Sequence, residues 1–531
     1  MVSNLTEEVT NDTARTLVYL VGDEDVTIYW KWGVREFGHS IAKTPHGVIE
    51  ADGVRFDVAG TAWPREGEKL TLRAVPDEGA EFLYWQGDVP WDSVTNATLI
   101  LEPSEQRVVW AVFAPTTTAK TVTWLGGEGN WNDPTQWDGG NVPGRGDDVV
   151  IAAGTCRVDQ CGLARSLALS GDALLTATPT TTTTYRQKAM LVVARDLTMT
   201  GRAGICFGNT NSVADIFNTV AHDLSVGGNL TLRNASVLTI SGGRRTTDAQ
   251  FQTGTATVAV GGKFEVRDTA KFRPNSDGFA GGSVQVTVGG RFTLSASACV
   301  DADRFGYGIG GSGAGTGYGD LGIRAASHGG CGTSTESATA PYVLYVAPYD
   351  YKYAPREPGQ TSRHAGRGLV RGGGAIRILA ESMKIDGMLT ANGGVVDGIP
   401  NDGGTGGASS GGTIWLAANH AIEMGPNAVL SARGASSAIN SGVGASGGGR
   451  ISICERLTDA QYASLLAKPG TLPADVTDDS ETYLANHEAF ADAVAPGDAI
   501  RDYPDLTACW GTFVHLTGTA KIPMGFLLLL K

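Results

Sequence analysis

The stretch "GGGAIRILAESMKIDGMLTANGG", Gly372 to Gly394, is written a second time as "GGTIWLAANHAIEMGPNAVLSARGA", Gly411 to Ala435. Each copy opens on glycines, runs through a β-branched strand, turns a short polar corner, enters a second strand and returns to glycine. "AIRI" at Ala375, "TIWL" at Thr413 and "RISI" at Arg450 are spaced 38 and 37 residues apart. A repeat of that length with alternating apolar positions and no 3.6-residue period describes stacked β-coils, not helical repeats.

The same frame runs through the middle of the chain. "VARDLTMTG" from Val193, "VGGNLTLRNASVLTISGG" from Val226, "VGGKFEVRDTAKFRPNS" from Val260 and "VGGRFTLSASACVDAD" from Val288 share V-x-x-x-[LF]-x-[VLM]. Their starts lie 33, 34 and 28 residues apart, short of the forty or so residues a propeller blade needs. Each frame supplies a strand, a glycine corner and a second strand. The expected fold is therefore all-β, a right-handed parallel β-helix over residues 155–454. Stacking at the inter-strand distance of about 4.8 Å would make roughly ten coils into a rod on the order of 50 Å long.

Composition agrees. The 531 residues include 74 Gly, 18% charged and 41% hydrophobic residues, without the every-third glycine of collagen. A net charge of −14 with no basic run excludes a nucleic-acid backbone as partner. The seven cysteines contain no C-x-x-C pair, so no zinc site is expected. Cys156 and Cys161 are either bridged across a tight loop or isolated buried side chains. The opening residues carry no basic region followed by an apolar one. The chain is then either cytoplasmic or a section of a longer exported protein. "MGFLLLLK" at the C-terminus is too short to span a membrane.

Ahead of the repeats, residues 17 to 32, "LVYLVGDEDVTIYWKW", read as a hairpin, and "LILEPSEQRVVWAVF" at 99 to 113 repeats its strand, acidic turn and aromatic strand. Between them, Leu70, Leu72, Ala74, Pro76, Gly79, Phe82, Trp85, Gly87, Asp88, Leu99, Ala111 and Phe113 match the pattern "A.P..G..F..W.GD … A.F". Residues 40–114 thus resemble the divergent internalin B-type bacterial repeat. That resemblance implies a small β-grasp-like spacer of a bacterial surface protein, with residues 1–39 as the tail of a preceding copy. After a threonine-rich linker, "TVTWLGGEGNWNDPTQWDGGNVPGRGDDVVIAAG" supplies Trp124, Trp131 and Trp137. It is similar to the segment that leads into the first coil of secreted bacterial β-helix proteins. Residues 115–154 are expected as linker and cap, the tryptophans covering the core's end or, alternatively, stacking on carbohydrate. Residues 305 to 454 resemble glycine-rich β-helix segments of very large secreted proteins, through Gly310 to Gly317, Ser327 to Gly330 and the three strand entries. Residues 455–531 read as a C-terminal cap or the start of a further module, opening on a helix at "LTDAQYASLLA" with Thr458 and Gln461 as a capping box.

Two places invite a functional reading. Parallel β-helices host polysaccharide lyases and hydrolases, whose chemistry needs converging carboxylates or a base beside them; the local candidate is Asp301, Asp303 and Arg304. The other is "PYVLYVAPYDYKYAPREPGQ", Pro341 to Gln360, where Tyr342, Tyr345, Tyr349, Tyr351 and Tyr353 with Lys352 and Arg356 would present aromatic faces and donors from a loop. The competing reading packs this insertion along the rod over an apolar strip. His328 and His364 border glycine-rich loops and read as hydrogen-bonded surface residues. No GxSxG, HExxH or Walker pattern is present, and no cofactor or metal is expected. The resemblances imply an extracellular or cell-surface location, with glycans or surface proteins as partners and a structural, adhesive role. A carbohydrate-active enzyme is the alternative.

Overall fold

The computed structural model describes residues 36–87, 89, 93–102, 106–116, 120–159, 161–177, 189–208, 221–243, 254–278, 281–308, 326–334, 343–361, 371–394, 408–439, 442–496 and 508–518. The fold is mostly β, with long parallel sheets and two α-helices, Asp459–Ala467 and Ser480–Asn486, among the described residues. No described helix is long and apolar enough to cross a membrane.

Residues 36–115 form two four-stranded sheets. One orders Gly60–Ala62, His39–Lys43, Val108–Pro115 and Ala80–Gly87; the other orders Val54–Phe56, Gly47–Ala51, Leu70–Pro76 and Thr98–Leu101. Alternation along each strand turns Ile41, Ile49, Leu72, Trp85, Leu99 and Phe113 onto one shared core. The strands within 99 to 113 do not form the expected hairpin. Thr98–Leu101 pairs with Leu70–Pro76, whereas Val108–Pro115 pairs in the opposite sheet, in parallel with His39–Lys43. Both carry a buried alternating face, and facing each other across a core satisfies that alternation as well as pairing edge to edge. The stretch at 17 to 32 lies outside the described residues.

From Thr121 onward the strands enter three parallel ladders. In one, Met190–Val193, Asp223–Val226, Ala256–Val260 and Val284–Leu294 follow one another, with Val193 opposite Val226, Val226 opposite Val260 and Val260 opposite Val288. Later in that ladder Ala375 stands opposite Thr413 and Thr413 opposite Arg450. Every frame read from the sequence is thus in register with the next. The inward column Leu191, Leu224, Val258, Val286, Ile378, Leu416 and Ile453 is buried throughout. A second ladder stacks Leu167, Leu197, Leu230, Phe264, Phe292, Met383 and Ile422. The nine-stranded third sheet stacks Leu175, Ile205, Leu238, Phe272, Val300, Leu389 and Leu430. All three columns line one continuous apolar core. The 11-residue strands Val284–Leu294 and Ala375–Ile385 each belong to both of the first two ladders.

Corners are built from what can approach backbone closely. A Cβ on Gly261 would lie 2.3 Å from the carbonyl oxygen of Gly227, and one on Gly412 would lie 2.0 Å from that of Gly374. At the corner before the third ladder, Gly171, Gly201, Asn234 and Asp268 all hold φ between 56° and 69°, a conformation open to glycine and tolerated by Asn and Asp. There the Gly201 N–H donates to Asn234 Oδ1 (3.2 Å) and the Asn234 N–H to Asp268 Oδ2 (2.9 Å).

The ladders extend further than 155–454 at both ends. Thr121–Thr123, Glu128–Asn130 and Asp148–Ile151 already pair in them, and Thr512–Thr517 continues the first ladder beyond Arg450–Glu455. Trp124, Trp131 and Trp137 are buried, packed edge to face with ring centroids 5.0 Å apart, and share the core with Leu83, Tyr84 and Val112 of the N-terminal module. Buried rings leave no face for a sugar, so the stacking alternative fails for these three. At the other end Ile453 is followed in register by His515, which Tyr483 covers at 3.9 Å, with Phe490 and Phe513 alongside. The capping box at Thr458 and Gln461 is formed as expected.

Gly412→Ala should lower stability by about 1–3 kcal/mol or more, because the contact it creates is with backbone that cannot rotate away. Gly470→Ala, where a Cβ meets only ordinary contact at 3.6 Å, should stay within about 0.5 kcal/mol. Urea titration of both variants checks the contrast.

Candidate functional site

Asp301 ends the strand Cys299–Asp301 and accepts a hydrogen bond from Arg273 Nε (3.2 Å) on the adjacent parallel strand. Its column continues through Thr390 and Ser431, so no second carboxylate stands above or below it. Asp303 lies two residues on and plays a corner role. Its Oδ1 accepts the Asn392 N–H at 2.6 Å, and Asn392 Oδ1 in turn accepts the Arg433 N–H (2.8 Å) and Ser431 Oγ–H (2.7 Å). Asp196 and Asn229 do the same one ladder away: Asp196 accepts the Asn229 N–H (2.7 Å) and Asn229 accepts the Lys263 N–H (2.9 Å). Side-chain oxygens thereby pair backbone donors that the turn leaves without a sheet partner. Burial raises the Asp303 carboxyl above its ordinary value, opposed by the Asn392 N–H. Arg304 adopts φ +62° at an exposed corner. Among the described residues no group of three or more His, Cys, Asp or Glu is placed to hold a metal ion.

The insertion is tied down along much of its described length. Tyr342 and His364 lie outside the described residues, and Tyr345 belongs to the strand Val343–Val346. Tyr349 points inward: its hydroxyl donates to the Pro358 carbonyl at 2.5 Å, its ring lies 4.8 Å from that of His328, and burial pushes its phenol well up. Its own carbonyl accepts Arg450 Nε and Nη2 at 2.9 and 2.8 Å. Tyr353 packs on a second apolar cluster with Leu379, Trp415, Cys454 and Leu465. That cluster is the outer face of the first ladder, which explains why Thr413–Ala418 is buried on both faces. Arg356 Nη2 donates to the Leu466 carbonyl of the helix Asp459–Ala467. Of the insertion's tyrosines whose burial is described, Tyr351 is the exposed one, at 48%, and beside it Lys352 is paired to Asp478 at 3.1 Å.

Residues not singled out in the sequence hold this arrangement. Asp350, with a fully buried carboxylate, accepts the N–H groups of Arg356 and Glu357 at 2.9 Å each and faces His328 Nε2 at 3.4 Å. His328 Nδ1 lies 2.9 Å from the Gly411 carbonyl. His328 is wholly buried, not a surface residue as expected. Glu357 accepts from the Tyr307 hydroxyl at 2.7 Å, and its carbonyl accepts from Thr413 Oγ1 at 2.7 Å. The Asp between two tyrosines in "PYDYKY" was the available signal, since Asp at a turn commonly binds the N–H groups that follow it, and in the fold it holds φ +69°. Cys156 and Cys161 are free and buried, with burial pushing the Cys161 thiol up to about 12.

Comparison with protein-family models finds no match, and neither the curated proteins nor the solved structures contain a match to the chain.

Two outcomes follow. Tyr349→Phe should cost about 1–2 kcal/mol by leaving the Pro358 carbonyl unpaired in the interior, whereas Tyr351→Ala should leave the urea midpoint nearly unmoved. Because the folded state raises the Asp303 carboxyl, it binds a proton more readily than the unfolded chain. Its contribution to stability is then fullest below the ordinary 3.8 and declines as pH rises through the raised value. Asp303→Asn should remove that downward slope in a pH series of unfolding curves.

Proposed function

We propose that this chain is a section of a secreted or cell-surface bacterial protein, in which a right-handed parallel β-helix forms a stiff stalk behind a β-grasp-like internalin B-type repeat. The stalk displays a binding surface for glycans or for proteins of neighbouring surfaces. The observation that supports this most directly is the unbroken stacking of three inward columns, sealed by aromatic side chains at both ends. Such a body resists bending because any bend must open an in-register ladder on one side. A solenoid built this way can carry a loop rigidly at its edge, and the insertion after Val343 is carried in that manner.

Tyr351 is the contact residue this reading favours, since an aromatic ring on a rigid loop binds flat sugar faces with little ordering cost. Tyr349 and Tyr353 act as its foundation. A carbohydrate-cleaving function finds less support: Asp301 is paired with Arg273, and Asp303 is engaged by backbone N–H groups.

Incubation of the purified chain with pectic, algal and mucin polysaccharides, with and without calcium, tests the reading when both retention and new sugar ends are scored. Retention without cleavage, weakened at least several-fold by Tyr351→Ala, is expected. Release of new ends from any polymer, abolished by Asp301→Asn or Asp303→Asn, would replace the adhesive reading with the enzymatic one.

A further inference from the structure

We infer that Cys331 and Cys509 form a disulfide that fastens the glycine-rich segment before the insertion to the turn leading into the last strand of the first ladder, Thr512–Thr517. All seven cysteines are reduced in this structure, yet these two lie on backbones that run side by side. The Cys331 N–H donates to the Ala508 carbonyl at 2.8 Å. Gly448 bridges both segments: its N–H donates to the Cys509 carbonyl (3.0 Å) while its own carbonyl accepts the N–H groups of Gly329 and Gly330 (3.0 and 2.9 Å). A Cβ at Gly330 would fall 2.0 Å from the Cys509 carbonyl oxygen. Backbones hydrogen-bonded side by side in this way bring the two residues into the neighbourhood from which a disulfide can form.

The Cys509 thiol also senses Cys331, while burial alone raises the Cys331 thiol. Burial pushes the Cys509 thiol up to about 12, and negative charge on Cys331 raises it further. Cys156, Cys161, Cys299 and Cys454 respond instead to burial and to polar or charged neighbours that are not thiols. Cys331 is only half-buried and Cys509 fully buried, which orders the chemistry. With a small disulfide such as oxidised glutathione, the Cys331 thiol loses its proton and attacks one sulfur, expelling one reduced glutathione. Cys509 then loses its proton, attacks the Cys331 sulfur of the mixed disulfide and expels the second. Two protein thiols are oxidised by two electrons, and one glutathione disulfide is reduced to two thiols.

The bond would close a very long loop, the case in which a cross-link most restricts the unfolded chain. It would also fix Gly332–Ser334, which pairs with Val343–Val346 at the start of the insertion, against the end of the rod. The inference does not depend on what the insertion binds.

Trypsin separates the two residues cleanly, because Cys331 is the sole cysteine between Arg324 and Lys352, and Cys509 the sole one between Arg501 and Lys521. The folded chain is incubated with oxidised glutathione, remaining thiols are alkylated after unfolding, and the digest is mapped without reductant. The expected product is one linked pair of these peptides that separates on reduction. A melting temperature several degrees higher for the oxidised than the reduced chain is also expected, and that rise should vanish in Cys331→Ser. Recovery of the two peptides apart, each alkylated or each carrying glutathione, or a link to any other cysteine, would overturn the inference.

Discussion

Parallel stacking at the inter-strand distance is the constraint from which the rest follows. When each strand of a ladder lies directly on the one before, a residue has the same neighbour type above and below for the length of the ladder. An inward column must then remain apolar without interruption, and the three columns through Leu191, Leu167 and Leu175 do so. A corner must leave room for the carbonyl of the preceding coil. The stacked glycines meet that demand through space more than through dihedral freedom: Gly227, Gly261 and Gly412 show no positive φ, yet each would place a Cβ within 2.3 Å of a backbone oxygen.

The same constraint makes the ends of the stack its weak points, because an end exposes both an apolar cross-section and unpaired strand edges. The two ends are sealed by different chemistry. Near Thr121 three tryptophans and Tyr84 fill the opening, so the N-terminal module shares the core of the ladders. At the far end the first ladder's inward column finishes on His515, whose ring lies beneath Tyr483 and whose Nδ1 meets Asp479 Oδ1 at 2.5 Å. A histidine is workable there because one ring edge can reach a carboxylate at the rim while the face stacks inside.

How much of this was legible in the sequence follows from what repeats. Val193, Val226, Val260 and Val288, and again Ala375, Thr413 and Arg450, stand opposite one another as their spacing implied, because a one-residue slip would turn every inward side chain out. The continuation into Thr512–Thr517 was not legible, since the long segment carrying two helices separates it from Arg450 and breaks the period. The hairpin expected within 99 to 113 does not form, because alternation specifies a buried face without specifying which sheet supplies the partner. At the candidate sites, spacing placed Asp301 and Asp303 on one face, but their engagement with Arg273 and Asn392 depends on coils 28 and 89 residues away. The burial of Tyr349 likewise depends on His328 and Arg450.

Those distant partners explain why a tyrosine-rich loop can be both ordered and selective about what it exposes. Asp350 gathers the N–H groups of Arg356 and Glu357, Arg450 grips the carbonyl of Tyr349, and Thr413 and Ser452 reach out from successive coils to the carbonyls of Glu357 and Tyr353. Because the last two donors sit on ladder strands, the loop inherits the spacing of the coils. Its outward residues are thereby held at fixed positions beside the parallel strands. A buried charge such as Asp350 is costly unless its acceptor sites are filled. Filling them from the loop's own backbone makes the fold of the loop and the burial of the carboxylate a single event.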